Sequence, residues 1–238
     1  MVKILPTVTS VMWHPTPELR ARWLRQYGKD RFTFEEAREA QTFPEWWLFP
    51  KQKTTKWKWL GEAFPPKVAE YLFKKYVHIR DAVLLDLFAG IGGWSLGAIW
   101  SKRIRKIIMI ELDRAKCKYL DMNFSRLNIE YEVICSDVRN VNYTVIDADI
   151  ITASPPCEDL SMLRYFIRNN VDRGTISLTS FTIALVKELK PKIAFYENVY
   201  RKQLRKLLNE NGWYTMRFDM SKIIPQKRVR LIAIWQHS

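Results

Sequence analysis

The chain has 238 residues, of which 47% are apolar, enough to close one sizeable core. No run of eighteen or more apolar residues and no basic-then-apolar leader occurs, which excludes a helical membrane span and leads us to expect a soluble, cytoplasmic protein. A net charge of +14 points to a polyanionic partner, nucleic acid first, with a merely solvated basic surface as the alternative.

The first sixty residues are rich in Trp, Pro, Lys and Arg, and hold one basic helix candidate, Glu18–Tyr27. From about residue 80 the pattern becomes regular. Apolar runs at Ala82–Leu87, Lys106–Ile110, Glu130–Ile134, Asp149–Ala153 and Ile193–Tyr196 predict buried parallel strands. Helical spacing fills the stretches between them, at Trp94–Ser101, Arg114–Leu127, Ile176–Leu189 and Arg201–Asn211. Trp213–Phe218 and Val229–Trp235 are two further strand candidates. Strands alternating with helices predict an α/β fold with a doubly wound, mostly parallel sheet, which binds ligands beyond the carboxyl ends of its strands.

Chemistry-bearing residues fall at those ends. Asp86-Leu87-Phe88-Ala89-Gly90-Ile91-Gly92-Gly93 leaves the first strand and opens a helix. Its glycines allow a tight turn and close approach of a nucleotide-type cofactor, or a plain strand-to-helix turn. Glu111 ends the second strand, where a carboxylate can bind ribose hydroxyls, and Asp137 follows the third. Ser154-Pro155-Pro156-Cys157 follows the fourth, so Cys157 is either a nucleophile at the sheet edge or a buried structural cysteine. Tyr196-Glu197-Asn198-Val199 ends the fifth, with Asn198 pointing into the same crevice or capping a helix. In Gln226-Lys227-Arg228-Val229-Arg230, strand alternation puts Arg228 and Arg230 on one face, in a site or on a solvated edge strand. The cysteines Cys117, Cys135 and Cys157 form no CxxC pair, and the three histidines are scattered. We therefore expect no disulfide framework and no metal.

Taken together, these segments resemble the cytosine-C5 DNA methyltransferases. Asp86–Gly93 is similar to the family's first motif, Ser154–Cys157 to its catalytic Pro-Cys motif, Glu197-Asn198-Val199 to its ENV motif, and Gln226–Arg230 to its Gln-x-Arg-x-Arg pattern. Asp172-Arg173-Gly174-Thr175 resembles the segment after its mobile catalytic loop. Arg31–Pro44 resembles the ninth motif, and Gly61-Glu62-Ala63-Phe64-Pro65-Pro66 the tenth. These last two usually close the chain and here come first, so the resemblance implies a circularly permuted, Rossmann-like S-adenosylmethionine-dependent methyltransferase. Its parts would be an N-terminal extension (1–30) and one catalytic domain (31–238), with the ninth- and tenth-motif part at 31–77 and the core at 78–238. The family's target-recognition region has no counterpart in these segments, so we expect sequence choice to come from a separate chain or to be weak.

The resemblance also assigns roles. Cys157 attacks C6 of cytosine, Glu197 serves N3, Asn198 holds the loop geometry, and Arg228 and Arg230 orient the base. Phe88, Ala89, Gly90, Ile91 and Gly93 would line S-adenosylmethionine, Glu111 would hold its ribose, and Leu112, Asp137 and Val138 would meet its adenine. Pro156, Glu62 and Ala63 would complete the pocket. Glu62 stands where the family has Asn, and a carboxylate there would face the cofactor's own carboxylate. Glu158 replaces the usual Gln after the nucleophile. DNA is the expected substrate, in restriction-modification and close to the nucleoid. RNA C5 methylation and a catalytically silent nucleic-acid-binding subunit are the alternatives. Ser-Pro-Pro-Cys is also similar to the Ser-Pro-Pro-aromatic of amino-methyltransferases, but the aromatic is absent.

Overall fold

The computed structural model describes residues 5–9, 12, 15–156 and 178–237. Seven strands form one sheet: β1 (Ala82–Leu87), β2 (Ile104–Glu111), β3 (Glu130–Cys135), β4 (Ile150–Ala153), β5 (Ile193–Asn198), β6 (Tyr214–Asp219) and β7 (Val229–Gln236). Their spatial order is β3-β2-β1-β4-β5-β7-β6. The first five are mutually parallel, and β7 runs antiparallel to both β5 and β6. β1 is buried along its whole length, as a central parallel strand covered on both faces must be. The order of connection reverses between β1 and β4, and the crevice of a doubly wound sheet opens at that point.

One face of the sheet is covered by α1 (Pro17–Tyr27), α2 (Phe34–Ala40), α3 (Lys53–Glu62), α4 (Pro66–Tyr76), α5 (Gly93–Trp100) and α6 (Arg114–Phe124), all of which contribute buried residues to one apolar cluster. α7 (Leu178–Leu189) and α8 (Lys202–Glu210) cover the other face, with Ile183, Val186, Leu204 and Leu208 packed against Tyr196, Trp213 and Leu231. The helix ends carry their own signals. Thr16 caps α1, and Gly28 ends it in the left-handed conformation. Thr33 and Glu36 form a reciprocal capping box at the start of α2. α4 and α5 meet closely because Gly97 has no side chain; a Cβ there would lie 2.5 Å from Ala69 Cβ and 2.8 Å from Glu70 N.

The strands expected from the sequence are present, with boundaries moved by one or two residues. β5 continues through Glu197 and Asn198, so this pair belongs to the strand. The structure adds three helices to the expected set: α2 is short and α3 has its aromatic and basic residues spread around the helix, whereas α4 is amphipathic, burying Val68, Ala69, Leu72 and Phe73 on one face. β7 is flanked by β5 and β6, so the edge-strand alternative for Arg228 and Arg230 does not hold. The expectation of no disulfide is also corrected, because Cys117 and Cys135 are bonded. Parallel pairing sets Cys135 beside Glu111, and the turn from β2 into α6 brings Cys117 back to within 3.3 Å of the Glu111 carbonyl oxygen. This proximity comes from the β-α-β crossover and has no signature in the spacing. Among the described residues, no helix is long and apolar enough to cross a membrane.

Candidate active site

The glycine-rich turn between β1 and α5 is held in an unusual backbone path. Phe88, Gly90 and Gly92 all have positive φ, a region that costs energy for a side chain such as Phe88 and is free for glycine. Glu111 fixes this turn from the end of β2. One carboxylate oxygen accepts from Gly90 N at 2.8 Å and the other from Asp113 N at 2.9 Å. Beneath it, the fully buried Asp86 accepts from Ser95 Oγ at 2.6 Å and Thr152 Oγ1 at 2.7 Å, linking β1, α5 and β4. Burial outweighs these two bonds and pushes its carboxyl up to about 6.

A nucleoside-type cofactor fits this rim. A Cβ on Gly90 would have nothing nearer than Phe88 O at 3.9 Å, so that side of the turn is open. Leu112 is 66% exposed directly after Glu111, leaving an apolar surface beside the carboxylate. Gly93 faces inward, where the Phe64 backbone packs against it, and Ala89, Ile91 and Val138 are buried. Asp137 is engaged by Arg139, whose Nε approaches to 2.9 Å and whose guanidinium holds the carboxyl below its usual range. Glu62 is half-exposed and pairs with Lys116 at 3.2 Å, so its charge is countered on site. Among the described residues, no group of three or more His, Cys, Asp or Glu is placed to hold a metal ion.

Across the switch point, the ends of β4, β5 and β7 converge. Asn198 Nδ2 donates to Pro155 O at 3.0 Å, while its Oδ1 accepts from Val199 N at 2.7 Å. Asn198 therefore ties β5 to the Pro155-Pro156 segment and does not cap α8, whose N-cap position is Arg201, with no side-chain cap bond. Glu197, buried on the opposite face of β5, meets Arg230 of β7 with Nε to Oε1 at 3.2 Å. Cys157, Glu158 and Asp172–Thr175 lie outside the described residues.

Arg228 is 2% exposed and lies close enough to the Glu197–Arg230 pair to feel both charges, but its own donors go elsewhere. Its guanidinium donates to Val8 O, Gly61 O and Ala63 O, each at 3.3 Å. Burial, with Arg230 nearby, pulls it below the ordinary guanidinium range. Gln226 works beside it, accepting from Val8 N at 3.1 Å and donating to Gln41 Oε1 at 2.9 Å. Gln41 in turn donates to Leu60 O and Ala63 O. This buried network joins the start of β7 to the ends of α2 and α3. Gln41 and Gln226 were not singled out as site residues, although both lie inside segments that were. Trp94 was also missed: it stacks on Phe64 with centroids 3.9 Å apart and donates from Nε1 to Ser154 Oγ at 2.9 Å. A separate cleft of about 320 Å³ runs between Arg31–Glu35 and Lys51–Trp57, and none of the proposed catalytic or cofactor residues lines it.

A parallel sheet with a glycine-rich first turn, an acidic second strand end and a reversed β7 defines a Rossmann-like, S-adenosylmethionine-dependent methyltransferase fold. Solved structures agree at the level of fold. A putative RNA methyltransferase from Pyrococcus horikoshii superposes with a TM-score of 0.54 at 17% identity, covering 86% of this chain and 98% of that one. A methyltransferase from Pyrococcus furiosus gives 0.51 at 16% identity over 93% and 95% of the two chains. The chain belongs to the C-5 cytosine-specific DNA methylase family, whose model matches residues 7–78 and 83–234. It is similar to the type II methyltransferase M.PspPI of Psychrobacter sp. (strain TA137), 31% identical over 172 residues, 65% of this chain and 39% of that protein. It is similar also to M.HhaI of Haemophilus parahaemolyticus, 32% identical over 180 residues, covering 66% and 51%. The matched part is thus about half or less of the length of these relatives.

Proposed function

We propose that this chain transfers a methyl group from S-adenosylmethionine to C5 of cytosine in DNA, through a covalent bond between Cys157 and C6. The observation that carries the proposal is the convergence at the sheet edge. Asn198 is bonded to Pro155, two residues before Cys157, and Glu197 is paired with Arg230 on the neighbouring strand.

Cytosine C5 is a poor nucleophile until a thiolate adds to C6, after which C5 is enamine-like. The Cys157 sulfur forms that bond. Glu197 serves the ring nitrogen N3, where negative charge gathers, and Arg230 holds the Glu197 carboxyl in place. The cofactor supplies the methyl group as an electrophile on sulfonium sulfur. Loss of the C5 proton then restores the double bond and expels Cys157 as thiolate. Asn198 sets the Pro155-Pro156 backbone that presents the sulfur. Arg228 acts through structure, tying β7 to Val8, Gly61 and Ala63, rather than by touching the base. Glu111, Gly90 and Leu112 form the ribose and adenine side, with Phe88, Ala89, Ile91, Gly93, Asp137, Val138, Pro156, Glu62 and Ala63 around it. In duplex DNA the target base is flipped out to reach this edge.

The motif order supports a circularly permuted arrangement, with residues 31–77 as a ninth- and tenth-motif part and 78–238 as the core. In the same proposal a separate chain reads the target sequence. Its support is that every described helix packs a face into one of the sheet's two clusters, so none belongs to a separate folded reading unit. The relatives' names place them in type II systems, and a restriction-modification role is the matching proposal here.

The test is incubation of the protein with methyl-labelled cofactor and duplex DNA, single-stranded DNA or tRNA. Label on DNA cytosine supports the reading. Label on tRNA alone transfers the activity to RNA, and label on neither, with the cofactor still bound, favours a silent subunit.

A further inference from the structure

A cationic cluster lies on the other side of the catalytic edge, outside the site described above. β5 and β6 are parallel to each other with β7 between them, and Leu231 of β7 is the register partner of both Asn198 and Arg217. Arg217 therefore lies at the same level as Asn198, two strand spacings or about 10 Å across the sheet. Directly paired residues share a face, and Leu231 packs in the cluster covered by α7 and α8. On that face Arg205 of α8 donates from Nε to Thr215 Oγ1 at 3.3 Å and reaches Tyr200 Oη at 3.5 Å. Thr215 is itself anchored on Asn209 Oδ1 at 2.7 Å. The Arg217 guanidinium approaches the Tyr200 ring, 6.0 Å from its centroid. Tyr200 follows Asn198 by two residues, so the cluster is built directly onto the catalytic strand end.

Two guanidinium groups here share one tyrosine, and among the described residues neither forms an ion pair with a carboxylate. Asp219, which feels the Arg217 charge, accepts from Ser221 N at 3.0 Å. Glu210 of α8 pairs instead with Lys206. Arg201 and Lys202 add further exposed positive charge at the start of the helix. Two guanidinium groups that meet at one tyrosine with no carboxylate in direct contact favour an anion, and guanidinium forks match the two free oxygens of a phosphodiester.

We propose that Arg205 and Arg217, flanking Tyr200, hold a backbone phosphate of the substrate strand close to the target cytosine. The contact is independent of sequence and sets the register of the strand on the catalytic edge. It rests on the DNA methyltransferase reading. Its occupant is a nucleic-acid phosphate, and a free inorganic anion is an outcome of the test.

The experiment compares full-length wild type with Arg205→Gln/Arg217→Gln, measuring duplex binding against salt, methylation kinetics and S-adenosylhomocysteine affinity. The double variant should bind duplex DNA roughly tenfold more weakly. The slope of log affinity against log salt should fall by about one, as for one lost phosphate contact. The methylation defect should fall on KM rather than kcat, with S-adenosylhomocysteine bound as before. Arg217→Lys, which keeps the charge, should recover part of the affinity. An unchanged salt slope in a variant of an active wild type overturns the contact alone. A wild type that neither binds nor methylates DNA overturns the underlying reading and the contact with it. Inorganic phosphate that protects the cluster without any DNA dependence marks a free-anion site and also overturns it.

Discussion

Gly93 tests whether packing and site are one structure. Its φ is not in the left-handed region, so an alanine is barred only by space. A Cβ there would overlap the Phe64 carbonyl oxygen, with the carbonyl carbon 3.0 Å and the amide nitrogen 3.3 Å away. Phe64 cannot retreat freely, because its ring stacks on Trp94, which is bonded to Ser154. Overpacking of this kind costs about 1–3 kcal/mol. The better helix preference of alanine returns about 0.5–1 kcal/mol. Because the obstacle is backbone, the upper half of the overpacking range applies, and we expect Gly93→Ala to lose roughly 1–2 kcal/mol net in urea denaturation followed by tryptophan fluorescence. That corresponds to a fall of about 2–8 °C in Tm for a chain of this size. Calorimetry should show weaker S-adenosylhomocysteine binding in the same variant, because the glycine-rich turn moves with α5. A variant with wild-type Tm and wild-type affinity would refute the coupling.

Asp86 should give a pH signature. Its folded pKa, about 6, lies above the unfolded value of 3.8, so its stabilising contribution is complete below 3.8 and lost as pH rises through 6. Asp86→Asn lacks this dependence, so its stability relative to wild type should rise by up to about 3 kcal/mol between pH 4 and pH 8; a constant difference would contradict the assignment. The Cys117–Cys135 bond spans 18 positions. Closing a loop of that size is worth about 3 kcal/mol, so reductant should lower the urea midpoint and Cys135→Ser should abolish the sensitivity. Glu62→Asn should change S-adenosylhomocysteine affinity less than about threefold, because Glu62 is half-exposed and Lys116 already counters its charge; a tenfold change would show direct contact.

Much of the architecture was legible because buried parallel strands announce themselves as apolar runs. Asp86, Glu111, Ser154 and Asn198 then fell at strand ends where ligand chemistry belongs. What was hidden depended on contacts between distant segments. Arg228 reads in sequence as a partner of Arg230, yet its donors reach Val8, Gly61 and Ala63. Trp94 looks like an ordinary helix residue until Phe64 and Ser154 meet it. The cysteine pair became visible only when β2, β3 and α6 were assembled. Glu62 appeared unfavourable next to a carboxylate ligand because Lys116, 54 positions away, could not be seen beside it.

The central claim is a covalent bond from Cys157 to cytosine C6 during methyl transfer to DNA. The most direct measurement is trapping with duplex DNA containing 5-fluorocytosine, in which the fluorine blocks the final elimination. With S-adenosylmethionine present, wild type should form a denaturation-resistant protein–DNA adduct, mapped by mass spectrometry to Cys157. Cys157→Ser should form none while still binding S-adenosylhomocysteine. An adduct that persists in Cys157→Ser, or methylation of cytosine by that variant at the wild-type rate, would contradict the account.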